Sequence, residues 1–387
     1  MYYSQLFQLP LPLIVASNSQ LNPNLLTIGQ EIQIPGYLPQ TYTIKANDTF
    51  WQIAQSLSLP VDALLLLNPT VTATQLQIGQ NLILPQKITN FVISDENNYT
   101  FEKMTGDIQH LVTIYPFIQQ QVIGKSVLDK DLIELQMGVG NRQKHINGSF
   151  HANEWITTPV IMRFINEYAL ALTNNTSIRG LNTLPLFENN TLSLVPMVNP
   201  DGVNLVLNGV NAAGNLEDYV LTLNNGSNDF SGWKANINGV DLNNQYPALW
   251  EEEAKKKPTT PQPRDFPGYQ PLTEPEAIAM AELAQQKPFE IMNAFHTQGE
   301  VIYWGFQGLE PPVSQTIVEE FERVSGYQPI QYVDSFAGYK DWFIQEFQKP
   351  GNTVELGLGT NPPLPINQFE EIYQETLGGI MLATLYL

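Results

Sequence analysis

The sequence predicts an α/β protein in which a mixed central sheet is flanked by helices and preceded by two small βααβ modules, the first of them incomplete. Three observations carry this. Strand-like runs at residues 132–139, 191–198, 289–295 and 352–356 alternate with stretches of helical periodicity. Residues 7–35 and 57–85 repeat one another without a gap. And His151-Ala152-Asn153-Glu154 stands between a strand candidate at 136–140 and a helix candidate at 156–172, where Ile156, Val160, Ile161, Phe164, Ile165, Tyr168 and Leu170 recur at helical spacing.

The repeat has a constant offset of 50. It matches Leu9-Pro10 with Leu59-Pro60, Asn18 with Asn68, Ile28-Gly29-Gln30 with Ile78-Gly79-Gln80, and Ile34-Pro35 with Leu84-Pro85. The complete copy reads as a strand at Tyr42-Thr43-Ile44-Lys45 and a capped helix start from Asn47 to Ala54. A second helix ends near Asn68-Pro69, and a strand follows at Asn81 to Pro85. By the same offset Met1 matches Trp51, so the first copy lacks its opening strand, and its closing strand is expected to be unpaired. Gly36 to Gln40 and Gln86 to Asp95 read as linkers from their Gly, Pro and polar content. The expected domains are therefore residues 1–37, 42–87 and 95–387.

At 387 residues the chain exceeds what one core usually supports. Its net charge of -20 argues against nucleic-acid partners and against charge-driven adhesion to anionic lipid. The absence of cysteine excludes disulfides and thiolate ligands, leaving His and carboxylate as the strong metal donors. No run reaches the length of a membrane span, and Leu9 to Ala16 lacks a basic leader and is interrupted by prolines, so it is not read as a signal peptide and no membrane insertion is expected. The segment 251–257 reads as a solvated charged loop. Thr273-Glu274-Pro275-Glu276 reads as a capping box, and His110 and His145 read as ordinary histidines.

HxxE by itself is satisfied by any His and Glu three residues apart, and a polar turn would meet it equally well. Downstream, however, stand His296 at the end of an apolar run and Glu355 in Thr353-Val354-Glu355. Two His and a carboxylate, with a second carboxylate as base, are what a catalytic zinc with an open position requires.

At these residues the chain resembles the carboxypeptidase A-like zinc peptidases. The elements, in order, are Gly148-Ser149-Phe150-His151-Ala152-Asn153-Glu154-Trp155, Val195-Pro196-Met197-Val198-Asn199-Pro200-Asp201-Gly202, Gly239-Val240-Asp241-Leu242-Asn243, Phe295-His296 and Thr353-Val354-Glu355. The resemblance implies His151, Glu154 and His296 as ligands of one zinc ion and Glu355 as general base. It matches Lys234 to an Arg that polarises the scissile carbonyl.

Where carboxypeptidases of the family place an Arg that clamps the substrate's terminal carboxylate, this chain has Asn244. Asn243-Asn244-Gln245-Tyr246-Pro247 instead resembles the branch that cleaves gamma-D-glutamyl-diamino acid bonds of bacterial cell-wall peptides. Zinc carboxypeptidase activity on ordinary peptides is the alternative. Asn243 and Asn244 are implied as substrate contacts, with Arg142 and Lys340 as further carboxylate readers. Tyr332 and Tyr339 both fall near the family's substrate-capping Tyr, and Tyr339 is taken.

The N-terminal repeat resembles the LysM module, which binds N-acetylglucosamine-containing glycans. That places glycan contacts at Asn47, Asp48, Thr49, Phe50, Asn68 and Pro69, although Asp48 and Thr49 suit helix capping equally. The partners implied are peptidoglycan strands and their stem peptides. The implied location is the bacterial cell wall during growth or spore remodelling.

Overall fold

The structure, a computed structural model, describes residues 1–93, 96–359, 363–376 and 380–387. The expected start of the large domain at Asp95 lies outside the described residues. The chain divides into two compact units: Met1–Val92 with Gln109–Ile118 and Asn166–Glu188, and Ile93–Ile108 with Gln119–Ile165 and Asn189–Leu387.

In the first unit, strands β1 (Tyr37–Thr43) and β2 (Asn81–Lys87) pair antiparallel and enclose the helices Phe50–Ser56 and Val61–Leu67. This is the βααβ order expected, with β1 longer than read: Tyr37 to Gln40 belong to the strand and not to a linker. Copy one supplies the helices Tyr2–Phe7 and Leu11–Ser17, and residues 31–34 join no ladder.

The 50-residue offset survives in detail. Asn18 donates to the carbonyls of Ile14 and Gln33 and accepts from Gln33 N, while Asn68 does the same with Leu64 and Ile83. Leu6, Phe7, Leu9 and Ile14 of copy one share one core with Ile44, Phe50, Ile53 and Leu64 of copy two. The incomplete copy thus buries its apolar residues against the complete one. This unit also holds a short hairpin of β6 (Ser177–Ile178) and β7 (Leu181–Asn182). Asn174 and Asn166 anchor the chain leaving β2, through Ile88 O and Val92 N.

The second unit is built on one eight-stranded sheet. In chain order its strands are β3 (Gln119–Lys125), β4 (Asp131–Met137), β5 (Arg142–Gly148), β8 (Asn190–Val195), β9 (Phe289–His296), β10 (Val301–Tyr303), β11 (Gln328–Ile330) and β12 (Gly351–Glu355). The spatial order is β11-β10-β12-β9-β5-β8-β4-β3, parallel across β12, β9, β5 and β8 and antiparallel from β12 to β10 and from β8 through β4 to β3. The parallel strands are largely buried, as a sheet covered on both faces requires.

Register places the chemistry. Glu355 lies opposite His296, and Gly148 opposite Phe295, so β5, β9 and β12 end side by side at their carboxyl termini.

Some sequence expectations are corrected. The run at 132–139 ends as β4 at Met137, and a separate strand, β5, leads into His151 in place of residues 136–140. The charged segment is a helix, Trp250–Ala254, and its Glu253 is buried, holding Lys257 and Phe336 N. Thr273 caps nothing through its side chain. The helix Pro275–Gln286 starts at an N-cap Glu274 without a capping bond, because Glu274 and Glu276 are both turned inward to Asn236. Among the described residues no single helix is long and apolar enough to cross a membrane.

Candidate active site

His151 follows β5 through a tight loop in which Ser149 takes a positive φ of 52°. The loop is fixed by its neighbours. Ser149 N donates to Thr157 Oγ1, Ser149 Oγ bonds Thr157 and Thr158, and Asn199 Nδ2 holds the carbonyls of Phe150 and Ala235. Asn199 also caps the helix Pro200–Asn208 through Gly202 N. A Cβ on Gly202 would lie 2.7 Å from both Ala152 Cβ and Ala235 O, so that helix packs under the loop only with glycine there. The Asn199-Pro200-Asp201-Gly202 element is thus the support of the site.

Ala152–Glu154 forms a 3-10 turn with His151 at its N-cap, which turns His151 and Glu154 to one side. His151 Nδ1 lies 2.9 Å from Glu154 Oε1, and His296 Nδ1 lies 2.9 Å from Glu154 Oε2 and 3.1 Å from His151 Nδ1. All three side chains are buried. On the far side of the His151 ring, Nε2 donates to Asp241 Oδ1 at 3.1 Å, so Nδ1 is the ring atom that faces Glu154 and His296. His296 Nε2 is buried without a hydrogen-bond partner. Two imidazole nitrogens and a carboxylate within 4.8 Å of one another, with no lysine or arginine between them, fit a divalent cation of borderline softness.

The members of the cluster set one another's charges. Burial opposes ionisation of Glu154, yet His151 and His296 hold its carboxyl well below the usual range. Burial pushes the His151 imidazolium down, but Glu154 and Asp241 more than offset this and bring it to about 9. Burial keeps His296 below the usual histidine range. Despite its complete burial, Asp241 is held ionised by Lys234 and His151. Its second oxygen lies 3.0 Å from Lys234 Nζ, and that lysine is held charged by Asp241 and Glu154 against the cost of burial. Burial, then the charge of Glu154, pushes the Glu355 carboxyl up to about 8.

These groups open onto a cleft of about 210 Å³ whose lining includes His151, Lys234, Asn243, Asn244, Lys340 and Glu355. Lys257, Tyr303 and Asp341 also line it, and none of them was singled out from sequence as a site residue. Asp241 stood inside a quoted motif, but only its bond to His151 reveals its part. Tyr303 sits opposite Thr353 in the ladder, two residues before Glu355, a relationship that exists only once β10 is paired.

Four residues assigned from the sequence do not reach a ligand surface. Tyr339 is fully buried among Phe150, Tyr246 and Trp342, with its hydroxyl donating to Met280 O, because it opens the helix Tyr339–Phe347 on its core-facing side. Arg142 begins β5, about 20 Å along the strand from Gly148, and is occupied by Glu290 and Leu387 O. In the LysM repeat Phe50 is a core residue, and Asn68 is buried with its amide engaged by Leu64 and Ile83. Asp48 accepts from Lys45 N and Tyr42 OH, and Thr49 caps the helix through Gln52 N. Asn47, Thr49 and Pro69 are exposed, and Asp48 is half-buried.

Residues 104–377 match the model of the zinc carboxypeptidase family of peptidases, and residues 42–85 match that of the LysM domain. The chain belongs to the zinc carboxypeptidase family. It is therefore a metallopeptidase, and it carries a LysM domain. The zinc carboxypeptidase fold is matched by the crystal structure of thrombin activatable fibrinolysis inhibitor, with a TM-score of 0.58 at 17% identity over 75% of this chain and 76% of that one. Over 386 residues the chain is 57% identical to gamma-D-glutamyl-L-diamino acid endopeptidase 1 of Lysinibacillus sphaericus, covering 100% of this chain and 97% of the relative. It is 47% identical over 304 residues to the uncharacterized protein YqgT of Bacillus subtilis (strain 168), covering 78% of this chain and 81% of that protein.

Proposed function

We propose that this protein is a zinc-dependent endopeptidase that cleaves the gamma-D-glutamyl to diamino acid bond of bacterial cell-wall stem peptides, with its LysM segment held on the glycan. The observation that carries the reading is the single cleft in which His151, Glu355, Lys234 and Asn244 meet, in a chain similar over its full length to a relative named for that bond.

In this reading His151, Glu154 and His296 hold one Zn²⁺, which when bound supplies Lewis acidity towards water and the scissile carbonyl. Glu355 takes a proton from the attacking water and returns it to the leaving amine. Lys234, fixed by Asp241, faces the developing oxyanion as a charge that does not need to move. Asn244 offers an amide where a guanidinium would clamp a C-terminal carboxylate, so the cleft does not demand a free peptide terminus. Asn243 has its Oδ1 committed to Tyr339 N, which leaves its amide nitrogen for substrate.

Residues 42–87 act as the glycan-binding module, residues 1–37 as its incomplete partner, and the catalytic domain runs from about residue 95 to 387. Asn47, Thr49 and Pro69 lie where the glycan would be met. Anchoring raises the local concentration of a sparse insoluble substrate without changing the chemistry. The place of action is the bacterial cell wall.

Mass spectrometry of soluble muropeptides after digestion tests the reaction. The expected products are peptides ending in D-glutamate with a free γ-carboxyl and fragments that begin with the freed amine of the diamino acid; zinc chelation abolishes them and added zinc restores them. Release of C-terminal residues from ordinary L-peptides in their place would overturn the reading.

A further inference from the structure

A second concentration of charge lies at the other end of the central sheet. Arg142 and Lys144 open β5, Glu290 stands at the start of β9, and Lys349 comes just before β12. Together they line a cavity of about 290 Å³ at the amino ends of the strands whose carboxyl ends lead to His151, His296 and Glu355. None of these four residues lines the catalytic cleft. In a chain of net charge -20, three cations and one acidic side chain around a single cavity reverse the sign locally.

That positive charge is not used up inside the protein. Glu290 Oε2 accepts from both Arg142 Nε at 3.0 Å and Lys144 Nζ at 2.9 Å, so one carboxylate serves two cations. Arg142 turns its Nη2 to Leu387 O, which commits its guanidinium on two sides. Lys144 is 2% exposed and keeps two N–H donors beyond the one given to Glu290. Burial outweighs the bond to Glu290 and holds the Lys144 ammonium below the usual lysine range. Lys349 is exposed and pairs with no acid among the described residues.

The wall is fixed by backbone contacts. Lys349 follows Gln348, which closes the helix Tyr339–Phe347 at a φ of 50° and donates its N–H to Ile344 O, while Pro350 O accepts from Met292 N. The helix Val313–Ser325 begins on the same wall without a side-chain cap and adds its positive end to the lysines. Ile291, Val313 and Ile317 supply an apolar part of the lining.

We propose that this cavity binds a phosphate monoester, with the phosphate held by Lys144 and Lys349 and the organic group laid against Ile291, Val313 and Ile317. The planar fork of Arg142, which would suit a carboxylate, is already engaged. The two ammonium groups act as point charges with several donors each, and a phosphate dianion offers them charge and acceptor oxygens in more than one direction. The cavity is larger than a bare phosphate fills, and its apolar lining gives the surplus a use. The inference is independent of the peptidase reading.

Calorimetric titration of the zinc-loaded full chain with butyl phosphate, inorganic phosphate and butyrate tests it, in wild type, Lys349→Gln and Lys144→Met. The expected result is one butyl phosphate per chain, bound more tightly than either other probe, with its affinity reduced roughly tenfold in each variant. Lys349 is exposed, so Lys349→Gln keeps the test decisive even where Lys144→Met fails to fold. Affinity unchanged within twofold in Lys349→Gln puts the phosphate elsewhere, the zinc site included, and overturns the inference. Butyrate bound as tightly as butyl phosphate overturns the choice of phosphate, and inorganic phosphate bound as tightly overturns the choice of an ester. Binding of none of the three overturns the site itself.

Discussion

His151 Nε2 and Asp241 Oδ1 are 3.1 Å apart, and that hydrogen bond settles which imidazole nitrogen faces Glu154 and His296. The same carboxylate accepts from Asn243 N and pairs with Lys234, so one buried side chain orients a metal-ligand candidate, the turn Leu242–Asn244 and the cleft's fixed cation. Asp241→Asn keeps the shape but removes the charge and lets an amide N–H face His151. Zinc affinity, measured by competition with a chromophoric chelator, is expected to fall about 10–100-fold. Affinity within a factor of two of wild type would show that Asp241 does not set the ring.

Glu355 ends β12 directly opposite His296, with its backbone fixed in the ladder. Glu355→Gln removes the proton-transfer function and leaves the three proposed ligands untouched. Turnover of soluble muropeptides is expected to drop about 10²-fold or more, while zinc per chain, measured by elemental analysis, stays at one. Near-normal turnover with zinc retained would rule out the assigned role.

What the sequence made legible, and what it hid, follows from where polar residues lie. β9 was readable because apolar residues fill much of it and it ends on His296, whereas β12, with Val354 as its one large apolar residue, was readable through the Thr353-Val354-Glu355 element that carries the resemblance. β3 was missed because Gln119, Gln120 and Gln121 lie on an exposed edge and show no alternation. β5 was missed for the opposite reason: Arg142-Gln143-Lys144-His145-Ile146-Asn147-Gly148 contains a single large apolar residue, yet Lys144 to Gly148 are buried. Their polarity is absorbed by contacts from other strands, such as Lys144 with Glu290 and His145 with Ser193, which no local pattern reveals. Tyr339 failed for a related reason, since a residue's number places it near a site while its helix face decides whether it points there.

The matching bonds of Asn18 and Asn68 predict a cost that the glycan-contact assignment of Asn68 does not. Asn68→Ala would leave the carbonyls of Leu64 and Ile83 and the N–H of Ile83 without their partner, and two of these bonds tie the second helix to β2. The expected loss is about 2–4 kcal/mol of stability for the unit holding the repeat, at roughly 1 kcal/mol for each unsatisfied group. Thermal or urea unfolding followed by the fluorescence of Trp51 measures it. A loss of glycan binding with unchanged stability would return Asn68 to the role of a surface contact.

His145 supplies a pH dependence whose sign can be worked out. It is fully buried, stacked on Phe289 at 4.7 Å and bonded through Nδ1 to Ser193 Oγ, and burial followed by the charge of Lys287 pushes it down from 6.5 to about 3. Between those values the folded state keeps the ring neutral while the unfolded chain protonates it. The unfolded state therefore binds more protons, and stability falls as the pH drops below about 6.5, by ~1.4 kcal/mol per unit from this group. From pH 7 to pH 5 the integrated loss is about 2 kcal/mol. His145→Gln, which cannot titrate, is expected to lose about that much less between the two pH values, whatever its absolute stability at pH 7. Urea unfolding of both proteins at pH 7 and pH 5 checks this. Parallel losses in the two would mean that His145 takes up its proton in the folded state and that the acid sensitivity belongs to other groups.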